Sequence, residues 1–398
     1  MVTSFFGADS FGGDAMYVER LSHALGKRGH EVHVIHSAGA FRCVQGRHHR
    51  RAYQAPTGLR VHTIATGPRS IVAAIWSHQT GRVGPIAWLL SRVLAEVAFD
   101  VVHLHNVSLM GHTRIFDLVP AARRPVRLVT AHDYWWLCPQ SLLWKYNQRV
   151  CDGRACSTCL IRAGRPPQMW RGIDHASRSL SRADAVLFPS QSALQIHLAQ
   201  GLRHPRAQVL PCFVPDEWTS SAPDPAPGAR PYFAAAGRLV TEKGFHEIVP
   251  LMREFPALDL RIAGSGPLEA GLRDQAGPNV KLLGQLASSE VAAVIRGARA
   301  VIVPSLFPET FGYVAAEAMA LGTPVIARRR GALPELIDAA GAGLLFDSAA
   351  ELRAHMQALS TDGPKRQGLA APARAAAARL WSESAHVDAY LELIQALR

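Results

Sequence analysis

No apolar run in this 398-residue sequence approaches the ~20 residues that a membrane-spanning helix needs. The opening, MVTSFFGADSFGGD, has neither the basic head nor the apolar middle of a secretion signal. No block of Lys and Arg carries interleaved aromatics, so nucleic acid is not an expected partner. Charged residues are few, 19% against 48% apolar, which argues against a disordered chain. The expectation is a cytoplasmic globular protein, long enough for two cores rather than one.

What is present begins with cations. The formal charge is +12, supplied mostly by Arg. That balance suits nucleotides and other acidic small molecules, or peripheral contact with an anionic membrane at its inner face. An Ala- and Arg-rich genome would produce the same balance, and that reading stays open.

Short apolar runs alternate with helical spacing, the pattern of parallel sheets covered by helices. In the first half, strands are expected at EVHVIHS from Glu31, DVVHLHN from Asp100, VRLVTAHD from Val126 and AVLFPS from Ala185. MVTSFF looks like the tail of one more strand, whose beginning would precede the present start. Tyr17, Leu21 and Leu25 recur every four residues and predict one face of a helix ending near Gly29. Residues 219–231, TSSAPDPAPGARP, read as a linker. A second series follows: PYFAAAG, LDLRIAG, VKLLG, AVIVPS and TPVIAR. AVLFPS and AVIVPS hold similar places in the two halves, as in two copies of one architecture. A last helix spaces Val387, Tyr390, Leu391 and Ile394 along one face.

Several phrases carry candidate chemistry. Gly12 and Gly13 precede the Tyr17 helix, where adjacent glycines let backbone N–H groups approach a phosphate at a helix N-terminus; a plain turn is the competing reading. Arg238 and Lys243, in GRLVTEKG from Gly237, follow the strand PYFAAAG. Beyond the C-terminal end of such a strand is where open α/β sheets bind ligands, and a guanidinium with an ammonium can stabilise a departing diphosphate. Ala263-Gly264-Ser265-Gly266-Pro267 departs from the dinucleotide fingerprint, because Glu269 stands where its last glycine belongs. In Glu309-Thr310-Phe311-Gly312-Tyr313-Val314-Ala315-Ala316-Glu317, seven residues separate two carboxylates. A turn at 310–312 and a helix from Tyr313 let Glu309 and Glu317 reach two parts of one extended ligand.

The Gly12-Gly13-Asp14 opening, GRLVTEKG, and the E-x7-E phrase with MALGTPVIA and GALPELI behind it resemble the retaining glycosyltransferases of family 4. The resemblance covers nearly the whole chain and is strongest from Gly237 to Ile337. It implies an α/β GT-B fold, two Rossmann-like domains with parallel sheets facing a central cleft. Residues 1–218 would form the acceptor-side domain and 232–380 the nucleotide-sugar domain. Residues 381–398 would be a terminal helix, with packing back on the first domain as one option. The implied activity is transfer of a sugar from a nucleotide-diphosphate carrier to a hydroxyl acceptor, with retained configuration, in glycan, polysaccharide or glycoconjugate synthesis. No catalytic divalent metal is implied, and the sequence has no D-x-D pair.

By the same resemblance, Arg238 and Lys243 would bind the diphosphate, Glu309 the sugar hydroxyls and Glu317 the ribose. Phe311, Gly312 and Tyr313 would offer main-chain contacts, and Gly264 with Gly266 would flank the nucleotide. Gly12 and Gly13 would approach the phosphate or acceptor. His132, in TAHD, matches a histidine that faces the donor sugar, and His103 and His105 match residues near the cleft. Asp14 would touch the acceptor hydroxyl. UDP-sugars are the default donors, then GDP-mannose. The competing readings are a nucleotide-sugar epimerase, a phosphorylase relative, or a non-catalytic binder on the same fold.

Four of the six cysteines, Cys138, Cys151, Cys156 and Cys159, form a C-x12-C-x4-C-x2-C insertion across 138–159. Four thiolates can close a tetrahedral zinc site, and the last three match plant-type iron–sulfur spacing. A disulfide and unligated thiols are the other readings. The segment has little apolar core of its own, so the role expected is structural, near the acceptor side.

Overall fold

The computed structural model describes the chain apart from residues 11, 46–52, 68, 173 and 221–229. It divides into two compact units. The first comprises 1–142, 153–210 and 387–398, and the second 143–152 and 211–386. These borders differ from the expected ones at 143–152 and 211–218. Residues 211–218 group with the second unit because Val214 N–H donates to the Trp381 carbonyl at 2.8 Å and Val214 pairs with Ser382. The expected linker begins inside a short helix, Asp216–Ser220, and its residues 221–229 lie outside the described ones.

In the first unit, β1 (Val32–Ser37) pairs in parallel with β2 (Leu59–Ile64). β3 (Val101–Leu104) continues through β4 (Val126–Thr130) to two later strands, Ala185–Phe188 and Ala207–Val209. Val2 bridges Ile35 on one side and Leu104 on the other, which joins the two ladders. Counting Val2 as the first strand, the order is the 3-2-1-4-5-6 of a doubly wound sheet with one more strand beyond. β1 is buried along its whole length, as a strand covered on both faces must be. The helix Gly12–Lys27 lays Tyr17, Leu21 and Leu25 inward, all buried. The terminal helix Glu383–Leu397 crosses from one unit to the other, and Tyr390 on its later turns is buried in the first unit.

The second unit opens with a two-stranded antiparallel hairpin, β5 (Trp144–Lys145) and β6 (Arg149–Val150). The first-unit strands Ala185–Phe188 and Ala207–Val209 are β7 and β8 in chain order. The second sheet is built from β9 (Tyr232–Ala236), β10 (Asp259–Ala263), β11 (Val280–Gly284), β12 (Val301–Val303), β13 (Val325–Arg328) and β14 (Leu344–Phe346). All its pairings are parallel, in the order β11-β10-β9-β12-β13-β14, again 3-2-1-4-5-6. Its core packs Phe233, Ile262 and Ile302 against Phe245, Met356 and Phe346. Both units are therefore Rossmann-like. In each, the chain reverses its direction of winding between the first and fourth strands, and the strand ends there leave a crevice for ligands.

Candidate active site

In the second unit the crevice lies between the ends of β9 and β12. Gly237, Arg238 and Lys243 follow β9, and Ser305 and Glu309 follow β12. The lysine and the carboxylate, 66 residues apart in sequence, meet there. Lys243 Nζ donates to Glu309 Oε1 at 2.6 Å, and Ser305 Oγ donates to the same oxygen at 2.5 Å. The two donors hold the carboxylate by one edge and orient its other oxygen. The side chains are 22% and 12% exposed, so the pair is enclosed enough to attract strongly yet open to a ligand. Leu306 N–H donates to the Glu242 carbonyl at 2.8 Å, which ties the Lys243 loop to the Glu309 loop. Arg238 is exposed.

The phrase from Phe311 to Glu317 folds as its residues dictate. Gly312 has φ +91°, a left-handed turn that any side chain would strain, and the helix Tyr313–Ala320 starts directly after it. Glu317 is buried in that helix's second turn, and the buried ring of Phe311 packs edge-on to Tyr313 at 5.1 Å. Across the crevice, Gly264 has φ +136°, and a Cβ there would stand 1.9 Å from the Gly237 carbonyl oxygen. A Cβ at Gly266 would stand 2.6 Å from the Leu239 carbonyl oxygen. Both glycines let the turn after β10 lie against the loop that carries Arg238. Gly264→Ala should therefore lower stability by ~1–3 kcal/mol and displace that loop. A melting curve unchanged from wild type would contradict the contact.

In the first unit, His105 and Asn106 follow β3, and His132 and Asp133 lie just past β4. His105 Nδ1 and His132 Nε2 share a hydrogen bond of 3.0 Å, and the rings stack at 5.3 Å. Tyr17 packs on His132 with centroids 4.8 Å apart. His103, behind them, bonds Thr130 Oγ1 at 2.8 Å and Tyr390 Oη at 3.0 Å. Burial, with His103 and His132 close by, holds His105 well below the usual imidazole range and keeps it neutral. Asn106 Nδ2 donates to Asp14 Oδ2 at 2.7 Å, which places Asp14 in the same crevice as His132. Gly12, exposed with φ +84°, and Gly13 start the helix that carries Asp14. Burial pushes the Asp133 carboxyl up to about 7, against a hydrogen bond from Trp135 N–H at 2.8 Å. Asp133 and Ser305 carry no spacing motif that would have singled them out.

Of the four cysteines of the insertion, Cys159 is buried and Cys138, Cys151 and Cys156 are partly buried. Among the described residues no group of three or more His, Cys, Asp or Glu side chains is placed to hold a metal ion. Cys138 and Cys156 stand close enough to Arg171 for their charge to raise its pKa, against burial that lowers it to about 10. The guanidinium itself stacks on Trp135 and Trp170, at 4.5 and 5.0 Å from the ring centres. Cys159 Sγ accepts a hydrogen bond from Gln140 at 2.9 Å. A resident cation therefore neighbours two of the four thiols.

Comparison with known proteins identifies the architecture. Residues 11–218 match the model for Glycosyltransferase Family 4, and residues 216–376 that for Glycosyl transferases group 1. Glycogen synthase of Mycobacterium tuberculosis is 33% identical over 350 residues, 82% of this chain and 76% of that protein. Sucrose-phosphate synthase from Thermosynechococcus elongatus has the same fold, with a TM-score of 0.75 at 19% identity over 100% of this chain and 98% of that one. Anabaena Alr3699/HepE, solved in complex with UDP-glucose, superposes with a TM-score of 0.67 at 17% identity over 100% of both chains. The fold is GT-B and the class is glycosyltransferase, an enzyme of the EC 2.4 type. The chain belongs to glycosyltransferase family 4, with a group 1 domain as its C-terminal half.

Proposed function

We propose that this glycosyltransferase transfers a sugar from a nucleotide-diphosphate donor, most readily a UDP-sugar, to a hydroxyl of a glycan, polysaccharide or glycoconjugate acceptor, with retention at the anomeric carbon. The observation that carries the reading is the Lys243–Glu309–Ser305 cluster at the switch point of the second sheet. The UDP-glucose complex of a protein with the same fold supports the choice of donor.

In this reading Arg238 and Lys243 take the diphosphate and stabilise its charge as the glycosidic bond breaks. Glu309 accepts from sugar hydroxyls through the carboxylate edge that Ser305 orients. Glu317 takes the ribose hydroxyls, and Gly264, Gly266, Phe311, Gly312 and Tyr313 give the nucleotide and sugar close main-chain approach. Gly12, Gly13 and His132 act from the first unit, the histidine by positioning and polarisation. The acceptor oxygen attacks the face the diphosphate leaves, and a departing phosphate oxygen takes its proton. No metal enters the chemistry, and the setting is cytoplasmic, peripheral to a membrane.

Titrating UDP-, GDP- and ADP-sugars while following thermal unfolding tests the donor. A ligand at 100 times its Kd stabilises the fold by about 2.7 kcal/mol, a readily measured shift. UDP-sugars should raise the melting temperature most, and nuclear magnetic resonance of the product should show the donor's anomeric configuration. Failure of every nucleotide sugar to shift melting, or an inverted product, would sink the proposal.

A further inference from the structure

Arg328 is the one Lys or Arg that is buried among the described residues, 9% exposed. Taking a guanidinium out of water is costly unless its N–H groups find acceptors and its charge a partner. Arg328 ends β13, and the ladder between β12 and β13 stops one residue before it, at Val303 and Ala327. Past that point the side chain takes the place of the ladder: Arg328 Nε donates to the Pro304 carbonyl at 3.2 Å. Nη2 of the same guanidinium donates to Glu247 Oε2. The guanidinium carbon lies 4.8 Å from the centre of the Phe346 ring, at the end of β14. Replacing a buried ion pair by apolar side chains is often neutral for stability, so stability alone does not account for this one.

The two polar partners belong to the two loops that build the Lys243–Glu309–Ser305 cluster. Pro304 directly precedes Ser305. Glu247 lies in the short helix Phe245–Ile248, which only Gly244 separates from Lys243. Gly244 has φ +74° and lets the first loop lie on the second, because a Cβ there would stand 2.2 Å from the same Pro304 carbonyl oxygen. The turn after Arg328 reaches Glu309 itself. Ala332 N–H donates to the Glu309 carbonyl at 2.9 Å, and a Cβ on Gly331 would stand 2.3 Å from that oxygen. One buried cation thus joins the loop after β9 to the loop after β12, beside the carboxylate that both loops hold.

We propose that Arg328 is a positioning residue for the donor site: by holding the Pro304 carbonyl and Glu247 together, it sets the Ser305 hydroxyl and the Lys243 ammonium on one oxygen of Glu309. It acts through those two residues and not on the sugar nucleotide. Its consequence for transfer rests on reading the cluster as the donor site, while its consequence for geometry does not. Because the cluster serves the charge that develops on the departing diphosphate, a misplaced cluster should lower kcat more than it raises KM.

Two variants of the full chain test it. Arg328→Met keeps an apolar stem against Phe346 and loses every donor. Arg328→Lys keeps the charge beside Glu247, which guards against a methionine variant that does not fold, but a point donor cannot hold two partners as a planar fork does. Each should lower kcat by about 10- to 100-fold, the loss that a displacement on the order of 1 Å brings. KM for the donor should change by less than about threefold. Added to Ser305→Ala, either change should cost less than about twofold more, because both act on one carboxylate. An arginine that only stabilises the fold would lower the melting temperature, leave kcat of the folded enzyme unchanged and give no such coupling. Crystal structures of the variants read the geometry without any donor: Ser305 Oγ or Lys243 Nζ is expected to move out of hydrogen-bond reach of Glu309. Both contacts kept at 2.5 and 2.6 Å, or losses that simply multiply in the cycle, would overturn the proposal. Wild type that transfers from no nucleotide sugar would overturn the donor reading instead, and the crystal structures would still decide the role of Arg328.

Discussion

Lys243→Ala is expected to reduce sugar transfer by about 100-fold or more, the loss seen when one preorganised donor is removed from a developing anion. Two effects combine. The ammonium is the point charge nearest the Glu309 carboxylate, 2.6 Å away, and in the proposed reaction it meets the diphosphate as charge develops there. Its removal also leaves Glu309, 12% exposed, held by Ser305 alone. Because the diphosphate carries more charge on leaving than when bound, the loss should fall mainly on kcat. Arg238→Ala should act in the same direction. Glu309→Gln separates the roles: it can keep the Ser305 contact and the shape of the pocket but loses the charge that holds Lys243. A Lys243→Ala protein that is folded by circular dichroism and transfers sugar within about tenfold of wild type would remove the lysine from the chemistry.

The strands that were legible in the sequence are mostly the interior ones. EVHVIHS, DVVHLHN, VRLVTAHD, AVLFPS, PYFAAAG, LDLRIAG, AVIVPS and TPVIAR all form strands with a neighbour on each side, and such strands read as apolar runs. Those that went unread, β2, β5, β6, β8 and β14, are the edges of their sheets. β2 alternates irregularly between buried and exposed, and β8 is half-buried throughout, so neither makes a run. VKLLG is the exception, an edge strand whose Leu282 and Leu283 still announced it.

The site was legible where neighbours in sequence make it. Gly312 and the helix start at Tyr313 follow from local turn chemistry. Pairings across the crevice were not, because nothing in a linear spacing joins Lys243 to Glu309 or His105 to His132. The 3-2-1-4 strand order joins the first pair and the pairing of β3 with β4 joins the second, and both are properties of the sheet. Nor does the cysteine spacing show the neighbours of the insertion: the fold brings Arg171 beside Cys138 and Cys156, and Gln140 beside Cys159.

The stability of this protein should fall steeply as the pH drops from 6.5 towards 4. Burial lowers His78, His197 and His386 to about 4 and His175 to about 3, from 6.5 in the open chain. Between 6.5 and these values the unfolded chain holds protons that the fold refuses, so stability falls as the pH falls. Each imidazole contributes about 3 kcal/mol to that loss by pH 4. Asp133 works the other way. Its carboxyl stays protonated in the fold up to about 7 but ionises near 3.8 when unfolded, so its contribution is complete below 3.8 and is lost as pH rises to 7. Four imidazoles outweigh one carboxyl across the shared window, and the net slope is toward acid instability. His197 isolates one of the four: it lies between Tyr134 and Phe188, with ring centres 5.5 and 4.8 Å away, and its one hydrogen bond is to the Ala193 carbonyl. His197→Phe keeps that aromatic packing and cannot take a proton. Its stability should therefore fall less steeply between pH 6.5 and 4, by about 1.4 kcal/mol per pH unit relative to wild type. Urea unfolding followed across that range reads the difference directly, and parallel slopes for the two proteins would show that His197 is not a buried neutral group.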